Sequence, residues 1–212
     1  MPKSALIICN GEPPPRVLAR RLAREADIIV AADGGANIAR AYGLRPDVII
    51  GDLDSITRST LGFFSSSLII HLTRQDNTDL EKALDFLLIR KIRRAVIIGA
   101  TGNRLDFTLG NLSVIWNYTS QIDLSFVGDG VTAMPVGRRK KVEGHVGSTV
   151  SLIPFGNCRG ITLRGLQFPL ENATMNIGAI GISNVIVKSP FTVEVRRGNM
   201  LMLLMDKARR AR

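Results

Sequence analysis

Apolar and polar positions along the first 130 residues fall into two alternating patterns. Short runs rich in Ile, Val and Ala occupy Ala5–Cys9, Asp27–Ala31, Asp47–Ile50, Leu68–His71, Ala95–Ile98 and Ile122–Val127. Between them, apolar residues recur at helical spacing over Pro15–Glu25, Gly35–Tyr42, Asp79–Arg90 and Leu105–Tyr118. The third of these helices has the clearest start. Thr78 and Glu81 stand at the spacing of a capping box, and Leu80, Ala83, Leu84, Leu87 and Leu88 make one apolar stripe. Continuous apolar runs alternating with amphipathic helices predict a mostly parallel sheet covered on both faces.

After Gly128-Asp129-Gly130 the pattern changes. Short β-rich runs at Val150–Phe155, Gly160–Leu163, Val185–Val187, Thr192–Val195 and Met200–Met205 are broken by Gly, Pro and Asn, with no helical stripe before the basic tail. That spacing predicts a small antiparallel sandwich or barrel. Two domains are expected, 1–130 and 131–212, joined near 128–140.

Composition narrows the class. The 212 residues are 45% hydrophobic and 22% charged, values of a soluble globular protein. Ala5–Cys9 is too short for a signal-peptide core, and no apolar run approaches the roughly 18 residues of a membrane helix. No membrane partner is expected. Cys9 and Cys158 lack metal-ligand spacing and suit a reducing, cytoplasmic setting; with only His71 and His145 beside them, zinc is not expected either. The net charge of +10 raises the question of nucleic acid. Its clusters, however, are confined to Arg138-Arg139-Lys140-Lys141 and Lys207–Arg212, where no aromatic residue offers a stacking platform. A solvated basic surface, with no nucleic-acid partner, is the expectation.

The candidate chemistry lies where apolar runs end. Asp52 and Asp54 follow Asp47–Ile50, and in extended chain residues two apart face the same side. Converging carboxylates repel unless a proton or cation lies between them, and a hard cation such as Mg²⁺ suits carboxylate oxygens shared with phosphates. A second acidic segment, Gln75-Asp76-Asn77-Thr78-Asp79, opens a helix, where acids also complement the helix dipole. Two glycine-bearing loops follow other runs, Asp33-Gly34-Gly35-Ala36-Asn37 and Gly99-Ala100-Thr101-Gly102-Asn103-Arg104-Leu105-Asp106. Neither matches a Walker or G-x-G-x-x-G pattern, yet glycines between strand and helix let backbone N–H groups approach a phosphate. In an open α/β sheet such loops gather beyond the carboxyl ends of the strands. A nucleotide-phosphate site follows, with Arg104 able to hold a phosphate and Asp106 a hydroxyl or amine.

Four motifs, in order and at matching spacing, resemble the thiamine pyrophosphokinase family: Ala32–Asn37, Pro46-Asp47 through Asp52-Leu53-Asp54-Ser55, Gln75–Asp79 and Thr101–Asp106. Gly165-Leu166-Gln167-Phe168-Pro169-Leu170 and Gly181-Ile182-Ser183-Asn184 are similar to that family's second domain. The resemblance implies an N-terminal mostly parallel α/β, Rossmann-like domain followed by a C-terminal antiparallel β-sandwich. It also implies transfer of a pyrophosphoryl group from ATP to the hydroxyl of thiamine, giving thiamine diphosphate and AMP. On these motifs Asp52, Asp54, Asp79, Arg104 and Asp106 would be catalytic, the first three holding Mg²⁺. Nucleotide contacts would come from Asp33, Gly34, Gly35, Asn37, Thr101, Gly102, Arg104, Thr108 and Asn111, and thiamine contacts from Gln75, Phe168, Ser183 and Asn184. A homodimer with the active site at the subunit interface is implied as well. The chain departs from the family at Phe107, where a histidine is usual. The rival readings are another Mg²⁺-dependent nucleotide phosphotransferase or hydrolase on the same scaffold and, from charge alone, a nucleic-acid binder.

Overall fold

A computed structural model describes residues 3–74, 76–102 and 104–205. Gln75, Asn103 and the tail Lys207–Arg212 lie outside the described residues. The chain divides between Asp129 and Gly130 into two compact units.

The first unit alternates β1 (Ser4–Ile8), α1 (Arg16–Glu25), β2 (Ile28–Ala32), α2 (Gly35–Tyr42), β3 (Val48–Gly51), α3 (Arg58–Phe63), β4 (Leu68–His71), α4 (Asp79–Ile89), β5 (Arg94–Ile98), α5 (Leu105–Val114) and β6 (Asp123–Gly128). Its strand order is β4-β3-β2-β1-β5-β6, every pair parallel. Leu6, Ile7, Ile8, Ile49, Ile50, Ile97 and Ile98 are fully enclosed, which is why these strands read as unbroken apolar runs. β4 departs from that rule. It is the edge strand, and Leu68 and Ile69 stand exposed on it. α3 has no counterpart in the periodicity; it is held by the Thr57 hydroxyl, which accepts from Thr60 N. The capping box of α4 forms as its spacing predicts, with Glu81 N donating to Thr78 Oγ1 at 3.2 Å and Thr78 N to Glu81 Oε2 at 2.8 Å.

The second unit comprises β7 (Val131–Val136), β8 (Arg139–Val142), β9 (Thr149–Arg164), β10 (Leu170–Met175), β11 (Asn184–Val185), β12 (Phe191–Glu194) and β13 (Arg197–Met205). All its pairings are antiparallel. The two runs expected at Val150–Phe155 and Gly160–Leu163 are one strand, β9. Its first half pairs β11 and most of β13, its second half β10, β12 and, through Arg197, the start of β13, with a register shift opposite Gly198. One long strand thereby serves both sides of a core built from Val150, Leu152, Ile161, Leu163, Ile186, Phe191 and Met202. The basic run Arg139–Val142 is edge strand β8, whose charges discourage pairing with another chain.

Candidate functional site

Strand order places β1 next to β5, where the chain reverses its direction of travel across the sheet. Ligands of open α/β sheets bind beyond the strand ends at such a point. Here a cavity of about 690 Å³ opens between the loops after β1, β2, β3 and β5 and the starts of α4 and α5. Backbone bonds zip two of those loops together: Gly11 N donates to Gly99 O at 2.6 Å and Glu12 N to Thr101 O at 2.8 Å.

The floor of the cavity is acidic. Carboxylate oxygens of Asp33, Asp52 and Asp54 all lie within 4.8 Å of one another. Asp52 and Asp54 converge, but not through extended chain. Leu53 takes a left-handed φ of 63°, so a turn after β3 brings the pair together. Asp33 is also left-handed, at φ 43°. Such conformations in non-glycine residues cost free energy and gather at functional sites. Asp33 is buried; its Oδ2 accepts from Ser55 N at 3.2 Å, and its Oδ1 is enclosed with no hydrogen-bond partner. Burial pushes its carboxyl above the usual range, and the charges of Asp79 and Asp54 push the same way. A partnerless buried carboxylate oxygen among two further carboxylates fits a hard divalent cation.

Asp79, the first residue of α4, stands beside this group. Gly51 makes room for it, since a Cβ there would lie 2.9 Å from Asp33 Cβ and 3.1 Å from Asp79 Oδ1. Asp79 Oδ1 receives Lys82 Nζ at 2.9 Å, and the Lys82 side chain is only 2% exposed. Lys82 lines the cavity and is absent from the sequence-based candidates. Its signal was available as an Asp-x-x-Lys pair on one helix face. Cys9, at the end of β1, has its thiol pushed up to about 12 by burial and then by the charge of Asp79, so it stays protonated.

Of the other expected nucleotide contacts, Thr101, Gly102, Arg104 and Asn111 line the cavity, whereas Gly34, Gly35, Asn37 and Thr108 do not; Asp106, expected to be catalytic, does not line it either. The glycine pair is required for packing. A Cβ on Gly35 would lie 1.9 Å from Ile8 O, and one on Gly34 would meet the Asn10 side chain at 2.3 Å. Asn37 clasps the loop after β3, donating to Ser55 O at 2.9 Å and accepting from Thr57 N at 3.1 Å. Arg104 forks onto Asp106, whose carboxyl it holds below the usual range. Asn111 is buried and donates to Ala100 O at 2.7 Å, tying the loop after β5 to α5.

In the second unit, Phe168 is exposed despite preceding a proline. Its main chain is held by Asn184, whose Nδ2 donates to Phe168 O at 2.9 Å and whose Oδ1 accepts from Phe168 N at 3.0 Å. Asn184 is therefore buried and committed to structure, while Ser183 is exposed, at φ 64°, with N donating to Ser151 Oγ.

Comparison with known proteins agrees with this geometry. Residues 19–126 match the family model for the thiamin pyrophosphokinase catalytic domain, and residues 139–200 that for the thiamin pyrophosphokinase vitamin B1 binding domain. Thiamine pyrophosphokinase 2 of Arabidopsis thaliana is 31% identical over 201 residues, covering 80% of this chain and 74% of its own. The thiamine pyrophosphokinase of Bacillus subtilis is 28% identical over 187 residues, covering 84% and 87%. Its crystal structure superposes with a TM-score of 0.84 over 97% of this chain and 100% of that one, at 24% identity. Thiamin pyrophosphokinase from Candida albicans gives 0.85 over 97% and 90%, at 19% identity.

Proposed function

The chain belongs to the thiamin pyrophosphokinase family, and on that premise we propose that the acidic cavity of its first unit is where ATP and a divalent cation meet for pyrophosphoryl transfer. The enzyme is an ATP:thiamine diphosphotransferase: the hydroxyl of thiamine attacks the β-phosphorus of ATP, the bond from that phosphorus to the α-phosphate oxygen breaks, and thiamine diphosphate and AMP leave. Such chemistry asks the protein for positioning and charge neutralisation more than for covalent help.

The observation that carries the site is the cluster of Asp33, Asp52 and Asp54, with its enclosed, partnerless Asp33 Oδ1. These three residues, with Asp79 beside them, would hold Mg²⁺. The chemistry such an ion supplies is charge neutralisation and orientation of the polyphosphate. Lys82 keeps Asp79 in place and adds a buried positive charge, Arg104 offers N–H donors at the cavity mouth, and a carboxylate of the cluster accepts the hydroxyl proton.

The division of labour we propose assigns ATP and metal to residues 1–130 and thiamine recognition to 131–212. Phe168 supplies an exposed ring and Ser183 a hydroxyl; Asn184 holds the Phe168 backbone rather than the ligand. A second copy of the chain would complete the site. Exposed Phe168, Ile177, Ile180, Ile182 and Val187, carried on neighbouring segments of the second unit, support an apolar self-association surface. Free, buried Cys9 and Cys158 suit a reducing cytoplasmic compartment.

Separating the nucleotides after incubation with ATP, Mg²⁺ and thiamine tests the reaction: AMP and thiamine diphosphate in equal amounts are expected, and ADP would overturn it. Mixing Asp54→Asn subunits with Ser183→Ala subunits tests the shared site. Heterodimers that recover activity, where neither parent has any, are the expected result; verified heterodimers without activity would exclude it.

A further inference from the structure

Arg104 is the residue just before α5, and its side chain is 66% exposed. A long, solvated arginine populates many rotamers unless its neighbours restrict it. Three do so here. Asp106 accepts from Nε at 3.1 Å and also from Nη2, a two-pronged pairing along one edge of the guanidinium. The guanidinium carbon lies over the face of the Phe107 ring, Cζ 4.1 Å from the ring centre. The Thr108 hydroxyl donates to the Arg104 carbonyl at 3.1 Å, which ties the main chain to the first turn of the helix. Of the five N–H donors of a guanidinium, Asp106 takes two and three remain. Arg104 and Phe107 both line the cavity, whereas Asp106 does not.

We propose that Phe107 is a positioning residue for Arg104, its aromatic face holding the guanidinium over the cavity mouth so that the three free donors meet the polyphosphate of the nucleotide. This rests on the reading of the cavity as the ATP site. The resemblance drawn from sequence makes position 107 the visible departure from the family, and the structure gives the phenyl ring there a partner that depends on its π face rather than on a polar atom. Asp106 alone leaves the guanidinium free to swing about the carboxylate axis; the ring removes that freedom.

The test compares Phe107→Leu, which keeps apolar bulk and removes the π face, with Phe107→Tyr, which keeps the face. In the free protein the Nε–H proton of Arg104, assigned through Arg104→Gln, should show an upfield ring-current shift that Phe107→Tyr retains and Phe107→Leu abolishes. In steady-state assays Phe107→Leu should raise KM for ATP about two- to fivefold, with kcat and the KM for thiamine unchanged. In an Arg104→Gln background the same change should have no further effect on the dissociation constant of ATP. A merely structural ring would instead lower the melting temperature and kcat together. An Arg104 resonance identical in wild type and Phe107→Leu, or a Phe107→Leu effect undiminished in the Arg104→Gln background, would overturn the proposal. A wild-type protein that makes no thiamine diphosphate would overturn the functional reading, and the resonance alone would then decide whether the stack exists.

Discussion

Replacing Asp33 by Asn removes one negative charge from a cluster whose oxygens lie within 4.8 Å of one another, and leaves the side chain's shape almost unchanged. Two unit charges at that separation repel by about 1 kcal/mol in water and about 3.5 kcal/mol at the effective dielectric of a protein surface. The local backbone accommodates the change, because Asn tolerates the left-handed φ of 43° found there. Asn Oδ1 can still accept from Ser55 N, and its NH₂ would turn the enclosed, partnerless position into a donor facing carboxylates. A stabilisation of about 1–3 kcal/mol in the metal-free protein follows, which is a rise in melting temperature of at least about 2 °C for a chain of this size. The pH dependence has a defined sign. Burial raises the Asp33 carboxyl above its ordinary 3.8, so the folded state binds that proton more tightly than the unfolded chain does. Its stabilising contribution is complete below the ordinary value and is lost as pH rises through the raised one. The wild-type curve should therefore fall away from the Asp33→Asn curve as pH climbs through that window. Saturating Mg²⁺ should reverse the order: at a hundredfold excess over Kd it adds about 2.7 kcal/mol to a protein that binds it, and Asp33→Asn should gain far less. The assay is a thermal melt in EDTA and in Mg²⁺, from pH 4 to 8. Asp33→Asn melting below wild type in EDTA, or rising equally in Mg²⁺, would refute the reasoning.

Gly35→Ala puts a Cβ 1.9 Å from the Ile8 carbonyl oxygen, a backbone atom that cannot turn aside, and should cost about 3 kcal/mol or more; a urea midpoint near wild type would show that α2 does not depend on this close approach. Lys82→Met should lower stability by about 1–3 kcal/mol, less than a fully buried pair because Asp79 is partly exposed, and should abolish turnover. Adding Asp79→Asn should restore the melting temperature but not the activity, and recovery of both would remove Lys82 and Asp79 from the chemistry. Asp52→Asn should cut turnover severely with an unchanged far-ultraviolet spectrum, checked at limiting Mg²⁺, where near-normal rates would exclude Asp52 as a ligand.

The parallel half of the fold was legible because β1, β3 and β5 are enclosed on both faces and so carry uninterrupted Ile and Val. The antiparallel half was less so. β8 is Arg-Lys-Lys-Val, an edge strand whose polarity hides its conformation, and Gly156-Asn157 splits β9 on paper although the strand continues through it. α3 spans six residues, too few for a stripe to stand out. At the site, the carboxylates were visible as types and positions, but not the means of their convergence. That depends on the left-handed Leu53 and Asp33, and backbone torsions of non-glycine residues leave no mark in composition. Gly34-Gly35 in sequence suggests room for a phosphate, whereas in the fold the room is taken by β1 and Asn10. A lysine on an amphipathic helix ordinarily faces solvent, and only the fold shows Lys82 turned inward onto Asp79.

The central proposal is that the carboxylates beyond β2 and β3 run pyrophosphoryl transfer to thiamine. Its most direct test is to follow label from γ-³²P-ATP in the presence of Mg²⁺ and thiamine, with wild type and Asp54→Asn side by side and both shown folded by their melts. Label is expected in thiamine diphosphate, with one AMP per labelled product, and neither from Asp54→Asn. Label released as inorganic phosphate with ADP, or full transfer by Asp54→Asn, would contradict it.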